Sequence, residues 1–268
     1  MIESHFISYG NSQVHYLKFG SGTRFIICLH GYGEDASSFT FLQKWLEKDY
    51  TFIALDLPYH GKTVWNEGLA MEPFALVEII EKIIPLEFQT INFLGYSMGG
   101  RVALQMIQQI PTRVERAVLI APDGLHKNFW YWFSTQTGFG NKLFSRTMKN
   151  PKWMFGLMRF GRNIGLLNKS IFKFAHAYLD DETERDVLYK RWTTMRLFTP
   201  KLSVISLLLK LHSIQVRMLF GSYDRVILSK RSASLKKADD HVKIKVIKAG
   251  HQLLKEKHAK DIAALFVE

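Results

Sequence analysis

Short apolar runs of strand length alternate with helical runs on both sides of one long helical stretch, and this alternation restricts the possible folds more than any other feature. Arg24 to Leu29, Thr51 to Leu55, Thr90 to Leu94 and Arg116 to Ala121 have the length and continuous apolarity of strands buried on both faces. Between them, Phe39 to Lys48, Pro73 to Ile84 and Met98 to Gln109 carry apolar residues three and four apart, which predicts helices. Strand and helix in turn is the signature of a mostly parallel sheet with helices on both faces. Phe6 to Tyr9 and Val14 to Phe19 are expected to form a hairpin about Gly10-Asn11. The alternation resumes with strands at Gln215 to Phe220 and Val242 to Ile247, and with helices around Lys230 to Ala238 and from Leu253 towards Phe266. The expected class is therefore α/β, with eight strands.

The stretch between the two alternating parts has a different character. It holds long helical patterns, no clear buried strand, and four of the six tryptophans, Trp130, Trp132, Trp153 and Trp192. Residues 122–211 are accordingly read as a helical cap inserted into a core of residues 1–121 and 212–268. A chain of 268 residues accommodates one α/β domain with such an insertion. The formal charge of +12 is also uneven: residues 122–211 hold 15 Lys or Arg against 6 Asp or Glu, leaving 21 against 18 for the rest. Basic groups interleaved with aromatics, including the run Phe129 to Phe133 and Phe139, Phe144, Trp153, Phe155, Phe160, Phe172 and Phe174, suit three roles. They could form a layer packed on the core, a wall for an acyl or aryl substrate bearing a negative group, or a peripheral contact with an anionic membrane. No nucleic-acid reader motif accompanies the charge, so nucleic acid is not an expected partner.

Other classes are excluded more simply. The lone Cys28 allows no internal disulfide or multi-cysteine metal site and sits in an apolar run, as a core residue would. No cluster with metal-ligand spacing and no nucleotide-binding glycine motif is present, so neither metal nor cofactor is expected. No leader-like N-terminus and no membrane-span window appears, which gives the expectation of a soluble, cytoplasmic protein. The oligomeric state is not written in the sequence.

Gly95-Tyr96-Ser97-Met98-Gly99 has the form G-x-S-x-G and falls where an apolar strand meets a helix. A serine on such a turn projects its hydroxyl above the sheet, and the small neighbours relieve crowding. A serine hydroxyl is a weak nucleophile until a base takes its proton, and a carboxylate must fix the tautomer of a histidine base. His251, in Ala249-Gly250-His251, follows the last strand, at the strand end where this architecture places its sites.

On these residues the chain resembles the α/β-hydrolase family over nearly its whole length. Leu29-His30-Gly31-Tyr32-Gly33 is similar to the family's H-G-x-G oxyanion loop, and Asp56-Leu57-Pro58-Tyr59-His60-Gly61 to its D-x-P-G-x-G turn, with Tyr59 where glycine is usual. Gly221-Ser222-Tyr223-Asp224-Arg225-Val226 is similar to its G-x-x-D-x-x-V element, with the valine one place early. The resemblance implies an α/β-hydrolase fold and a Ser97, Asp224, His251 triad in the family's order of nucleophile, acid and base. It also implies oxyanion donors at the backbone amides of Tyr32 and Met98, with His30 orienting that loop and counted, like Arg101, as a candidate substrate-binding residue. Asp123, in Ala121-Pro122-Asp123-Gly124, is the rival carboxylate, or else a turn residue. Hydrolysis of a carboxylic ester or related small acyl substrate is the leading expectation.

Gly95 to Arg101 also resembles the elbow of the menaquinone-pathway lyases that form 2-succinyl-6-hydroxy-2,4-cyclohexadiene-1-carboxylate. In that reading Arg101 would bind an anionic substrate; otherwise it is a helix-surface arginine. The acidic and arginine-rich pattern of those lyases is not visible in Gly124 to Thr137. A hydrolase-fold protein that holds a ligand without turnover is the third alternative, though binding alone needs no triad.

Overall fold

The N-terminal hairpin is present in the computed structural model, which describes residues 1–84, 90–163, 179–233, 235 and 240–267. β1 (Ile2–Tyr9) and β2 (Ser12–Gly20) pair antiparallel, with Tyr9 opposite Ser12. The two-residue turn leads with Gly10 at φ 55°, a conformation glycine adopts without steric cost and one that matches the twist of a hairpin. The other strands are β3 (Arg24–Leu29), β4 (Tyr50–Leu55), β5 (Ile91–Tyr96), β6 (Val114–Ile120), β7 (Gln215–Gly221) and β8 (Val242–Ile247). They form one eight-stranded sheet in the order β1-β2-β4-β3-β5-β6-β7-β8. β2 also runs antiparallel to β4, and the remaining pairs are parallel. Every residue of β4 and β5 is buried, as continuous apolarity demands of strands covered on both faces. Cys28 is fully buried within β3, and burial pushes its thiol well above the ordinary range.

Parallel strands end at a common edge, so the segments after β3, β5, β7 and β8 converge there. Two buried groups tie the first of these segments in place. Asp56, just past β4, accepts hydrogen bonds from the Ala36 amide at 2.7 Å and the Lys62 amide at 2.7 Å. His15 Nδ1 donates to the same carboxylate at 2.7 Å, while Ser4 Oγ lies 2.9 Å from its Nε2. Asp56 thus joins the hairpin, the segment after β3 and the turn after β4. Gly61, at φ 52°, is required there because a Cβ would collide with the Asp56 carboxylate. Tyr59 adopts φ 62°, the left-handed conformation of the glycine it replaces, so the turn keeps its shape at a cost of about 1–2 kcal/mol. His15→Ala is expected to destabilise the protein by about 1–3 kcal/mol, because it leaves a buried Asp56 oxygen without one of its hydrogen-bond donors. Urea denaturation checks this; a change below about 0.5 kcal/mol, the usual range for a surface substitution, would refute it.

The contacts divide the chain into two compact units, residues 1–126 with 197–268, and residues 127–196. The second unit contains the helices Phe129–Gln136, Gly138–Lys149, Lys152–Asn163 and Glu182–Thr194. The expected insertion, 122–211, extends beyond this unit at both ends. Helix Leu202–Leu211 belongs to the α/β unit, where Ile205 and Leu209 are buried and it packs on helix Met98–Gln109. Periodicity marks a segment as helical without saying which core its apolar face joins.

Two other helices differ from expectation. Phe39 to Lys48 is a 3-10 turn, Ala36–Leu42, capped by Asp35, followed by a single α turn, Gln43–Leu46, before the chain straightens into β4. Around Lys230 the described residues form a 3-10 turn, Ser229–Ser232; residues 234 and 236–239, like Phe172 and Phe174, lie outside the described residues. Among the described residues no helix is long and apolar enough to cross a membrane.

Candidate active site

Ser97 stands between the last residue of β5 and the first of helix Met98–Gln109, at φ 50° and ψ −112°. Few non-glycine residues adopt that conformation, which stores about 1–3 kcal/mol and persists only where the surroundings impose it. Here the Ser97 amide donates to the Ile120 carbonyl at 2.9 Å, and the Ser97 carbonyl accepts from the Asp123 amide at 2.9 Å. Gly99 permits the close approach: a Cβ there would collide with the Leu29 carbonyl at the end of β3.

The structure brings Ser97, His251 and Asp224 into one hydrogen-bonded chain. Ser97 Oγ lies 3.1 Å from His251 Nε2, and His251 Nδ1 lies 2.7 Å from Asp224 Oδ2. The other Asp224 oxygen accepts from the Val226 amide at 2.7 Å and the Ile227 amide at 2.9 Å. With both oxygens engaged and the side chain fully buried, Asp224 presents an acceptor to Nδ1. The proton therefore resides on Nδ1, and the lone pair of Nε2 faces the serine. The segments carrying Asp224 and His251 are fastened to each other, since the Tyr223 amide donates to the Ala249 carbonyl at 2.9 Å. This arrangement could remove a proton from Ser97 as its oxygen attacks an electrophilic carbon.

Asp123 is engaged elsewhere. One of its oxygens accepts from the Gly124 amide at 2.7 Å and the other lies 3.4 Å from Arg101 Nη1. Arg101 is 6% exposed, so it is not a helix-surface residue. It pairs with Asp123 within the α/β unit.

The loop after β3 borders the serine, for a Cβ at Gly31 would be 3.5 Å from Ser97 Cβ. His30 is fully buried, accepts from the Leu57 amide at 3.0 Å through Nε2, and donates through Nδ1 to the Gly31 carbonyl at 2.8 Å. It orients the backbone leading into Tyr32. Met98 is the first residue of its helix, so its amide lies outside the intrahelical ladder, at the positive end of the helix dipole. Among the described residues no group of three or more His, Cys, Asp or Glu is arranged to hold a metal ion.

Two neighbours were not legible as site residues. Tyr96, the variable position before Ser97, donates its hydroxyl to the His251 carbonyl at 3.2 Å, and its ring lies 5.6 Å from the imidazole. Burial, with Glu34 and Asp224 nearby, raises its phenol above the ordinary range. Glu34, beyond Gly33, has its carboxyl pushed up to about 7 by burial, partly offset by a hydrogen bond with Ser38; Asp35 adds to the rise and Lys255 opposes it. The sequence shows only a loop glutamate, and its burial follows from the tertiary fold.

A raised carboxyl binds more protons folded than unfolded, so its contribution favours the fold at low pH and is lost as pH rises from about 4.5 to about 7. Glu34→Gln is therefore expected to raise the urea midpoint relative to the parent more at pH 8 than at pH 5. An equal difference at both values would remove Glu34 as a source of pH dependence.

Residues 25–253 match the family model for the alpha/beta hydrolase fold. A serine hydrolase-like protein of Danio rerio is 31% identical over 97 residues, covering 35% of this chain and 30% of that protein. A monoacylglycerol lipase of Xenopus laevis is 29% identical over 128 residues, covering 45% of this chain and 37% of that protein. The matches thus span well under half the length of these relatives. An esterase from Thermogutta terrifontis superimposes with a TM-score of 0.68 over 99% of this chain and 97% of its own, at 16% identity. The sheet order, the serine at the junction of β5 and its helix, and the extent of the family match lead to one conclusion: this chain belongs to the alpha/beta hydrolase family.

Proposed function

We propose that the chain is a serine hydrolase that cleaves a carboxylic ester or a related acyl compound through an acyl-enzyme on Ser97. The observation that carries this reading is the hydrogen-bonded chain Ser97, His251, Asp224 with the serine held at a left-handed strand-to-helix turn. The names of the serine hydrolase-like and lipase relatives lend it support.

In this reading His251 Nε2 takes the Ser97 proton as Oγ attacks the acyl carbon. The Tyr32 and Met98 amides donate to the resulting oxyanion, and each such donor typically contributes roughly 100 to 1,000-fold in rate. Collapse breaks the bond to the leaving oxygen, which departs as an alcohol with the proton from His251. Water then repeats the sequence, releasing the acid and restoring Ser97. Asp224 holds the imidazole in the required tautomer throughout and stabilises it while it is positive.

Incubation with a fluorophosphonate followed by peptide mapping tests the proposal, together with turnover of p-nitrophenyl esters of increasing acyl length. Stoichiometric labelling at Ser97 and release of p-nitrophenol are the expected results. A protein that neither labels nor turns over any member of the series would be a ligand holder on a hydrolase fold.

A further inference from the structure

Residues 124–179 contain no Asp or Glu in 56 positions, yet hold nine Lys or Arg. The described part of that stretch places its aromatic residues in two groups. Tyr131 and Phe144 pack with Tyr189 and Trp192 of the later helix Glu182–Thr194, with ring centroids 5.3 to 5.7 Å apart, and all four are half-buried. Trp132, Phe133 and Phe155 are half-buried, and the others face outward. Trp130 and Phe139 are each 72% exposed, and Phe129 is 58% exposed. On helix Lys152–Asn163, Trp153, Leu157 and Phe160 are spaced four and three apart, so they share one stripe, and Leu157 and Phe160 are each 62% exposed. Lys152 and Arg159 are exposed on the same helix, as are Lys142, Arg146 and Lys149 on the preceding one.

Packing on a core explains the inner aromatics and leaves the outer set unexplained, because large apolar side chains in contact with water are costly to cluster. A purely electrostatic partner would explain the basic groups and not the apolar stripe. An anionic bilayer satisfies both. Indole and phenyl rings favour the headgroup boundary, an aliphatic residue between them enters the acyl region, and Lys and Arg meet negative headgroups. The absence of any carboxylate from the stretch removes the repulsion that such a surface would otherwise impose.

We infer that the helices spanning residues 129–160 form a peripheral docking surface for anionic phospholipid membranes. This inference does not depend on the chemistry of Ser97. The test is flotation of the full chain with vesicles of phosphatidylcholine alone and with vesicles containing 30% phosphatidylglycerol. Partitioning should be at least about 10-fold stronger to the anionic vesicles and should weaken as salt rises, since screening shortens the reach of these charges. Lys149→Glu with Lys152→Glu should reduce binding about 10-fold or more. Trp153→Ser with Phe160→Ser should reduce it comparably at unchanged charge, with the thermal unfolding midpoint confirming an intact fold. Equal binding to neutral vesicles, binding to neither, or loss with the charge pair alone would overturn the inference. So would equal affinity for a short DNA duplex, which would point to a polyanion without an apolar phase.

Discussion

Ser97→Ala is expected to lose all covalent labelling by a fluorophosphonate and to reduce ester turnover by about 10⁴-fold or more, with no loss of folding cooperativity. The magnitude follows from the geometry: Ser97 Oγ is the atom 3.1 Å from His251 Nε2, and no second hydroxyl is hydrogen-bonded to that imidazole in the described structure. The fold should survive because alanine removes only the hydroxyl, and the backbone bonds to the Ile120 carbonyl and from the Asp123 amide remain. The same variant tests whether a hydrogen-bonded relay is sufficient. Ser4, His15 and Asp56 form a second serine, histidine, aspartate chain, with separations of 2.9 and 2.7 Å. Ser4, however, lies within a regular strand, without the positive φ of Ser97 and without a helix N-terminus beside it. It should remain unlabelled. Residual labelling at Ser4, or turnover at the parent rate, would show that the elbow is not what activates a serine in this protein.

Asp224→Asn is expected to slow acylation by about 10⁴-fold at neutral pH, whereas Asp123→Asn should change it by less than 10-fold. An asparagine at 224 can accept a proton from His251 through its carbonyl oxygen only if its amide group faces Val226 and Ile227, whose amides also donate. The conflict leaves either two donors opposed or the histidine in the other tautomer, with its Nε2 protonated towards Ser97. Asp123 carries no such bond to His251; its substitution weakens an ion pair with Arg101. Pre-steady-state release of p-nitrophenol separates acylation from the later step and measures both variants. A larger loss from Asp123→Asn would transfer the orienting role to the carboxylate that follows β6 and refute the assignment.

The order of strands and helices could be read from the chain because burial on both faces requires continuous apolar runs, and such runs are visible without coordinates. β3 begins and ends where its apolar run does, the edge strand β8 spans the expected Val242–Ile247, and helix Met98–Gln109 matches its periodic segment. Ser97 and His251 stand out as candidates because each follows a strand whose end meets the common edge, whereas Asp224 is an expectation carried by the family resemblance, since Asp123 also follows a parallel strand.

Other features required the tertiary structure. The membership of helix Leu202–Leu211 in the α/β unit depends on which surface Ile205 and Leu209 cover. The choice between Asp224 and Asp123 depends on which carboxylate reaches Nδ1, and the ion pair of Arg101 joins it to a carboxylate twenty-two positions away in sequence. Tyr59 shows the limit from the other side: its identity argues against a left-handed residue, yet the anchored Asp56 turn imposes one. Local sequence determines propensity and pattern, which act over a few residues. Distances between groups far apart in the chain, and the conformations those contacts enforce, exist only once the sheet has closed around them.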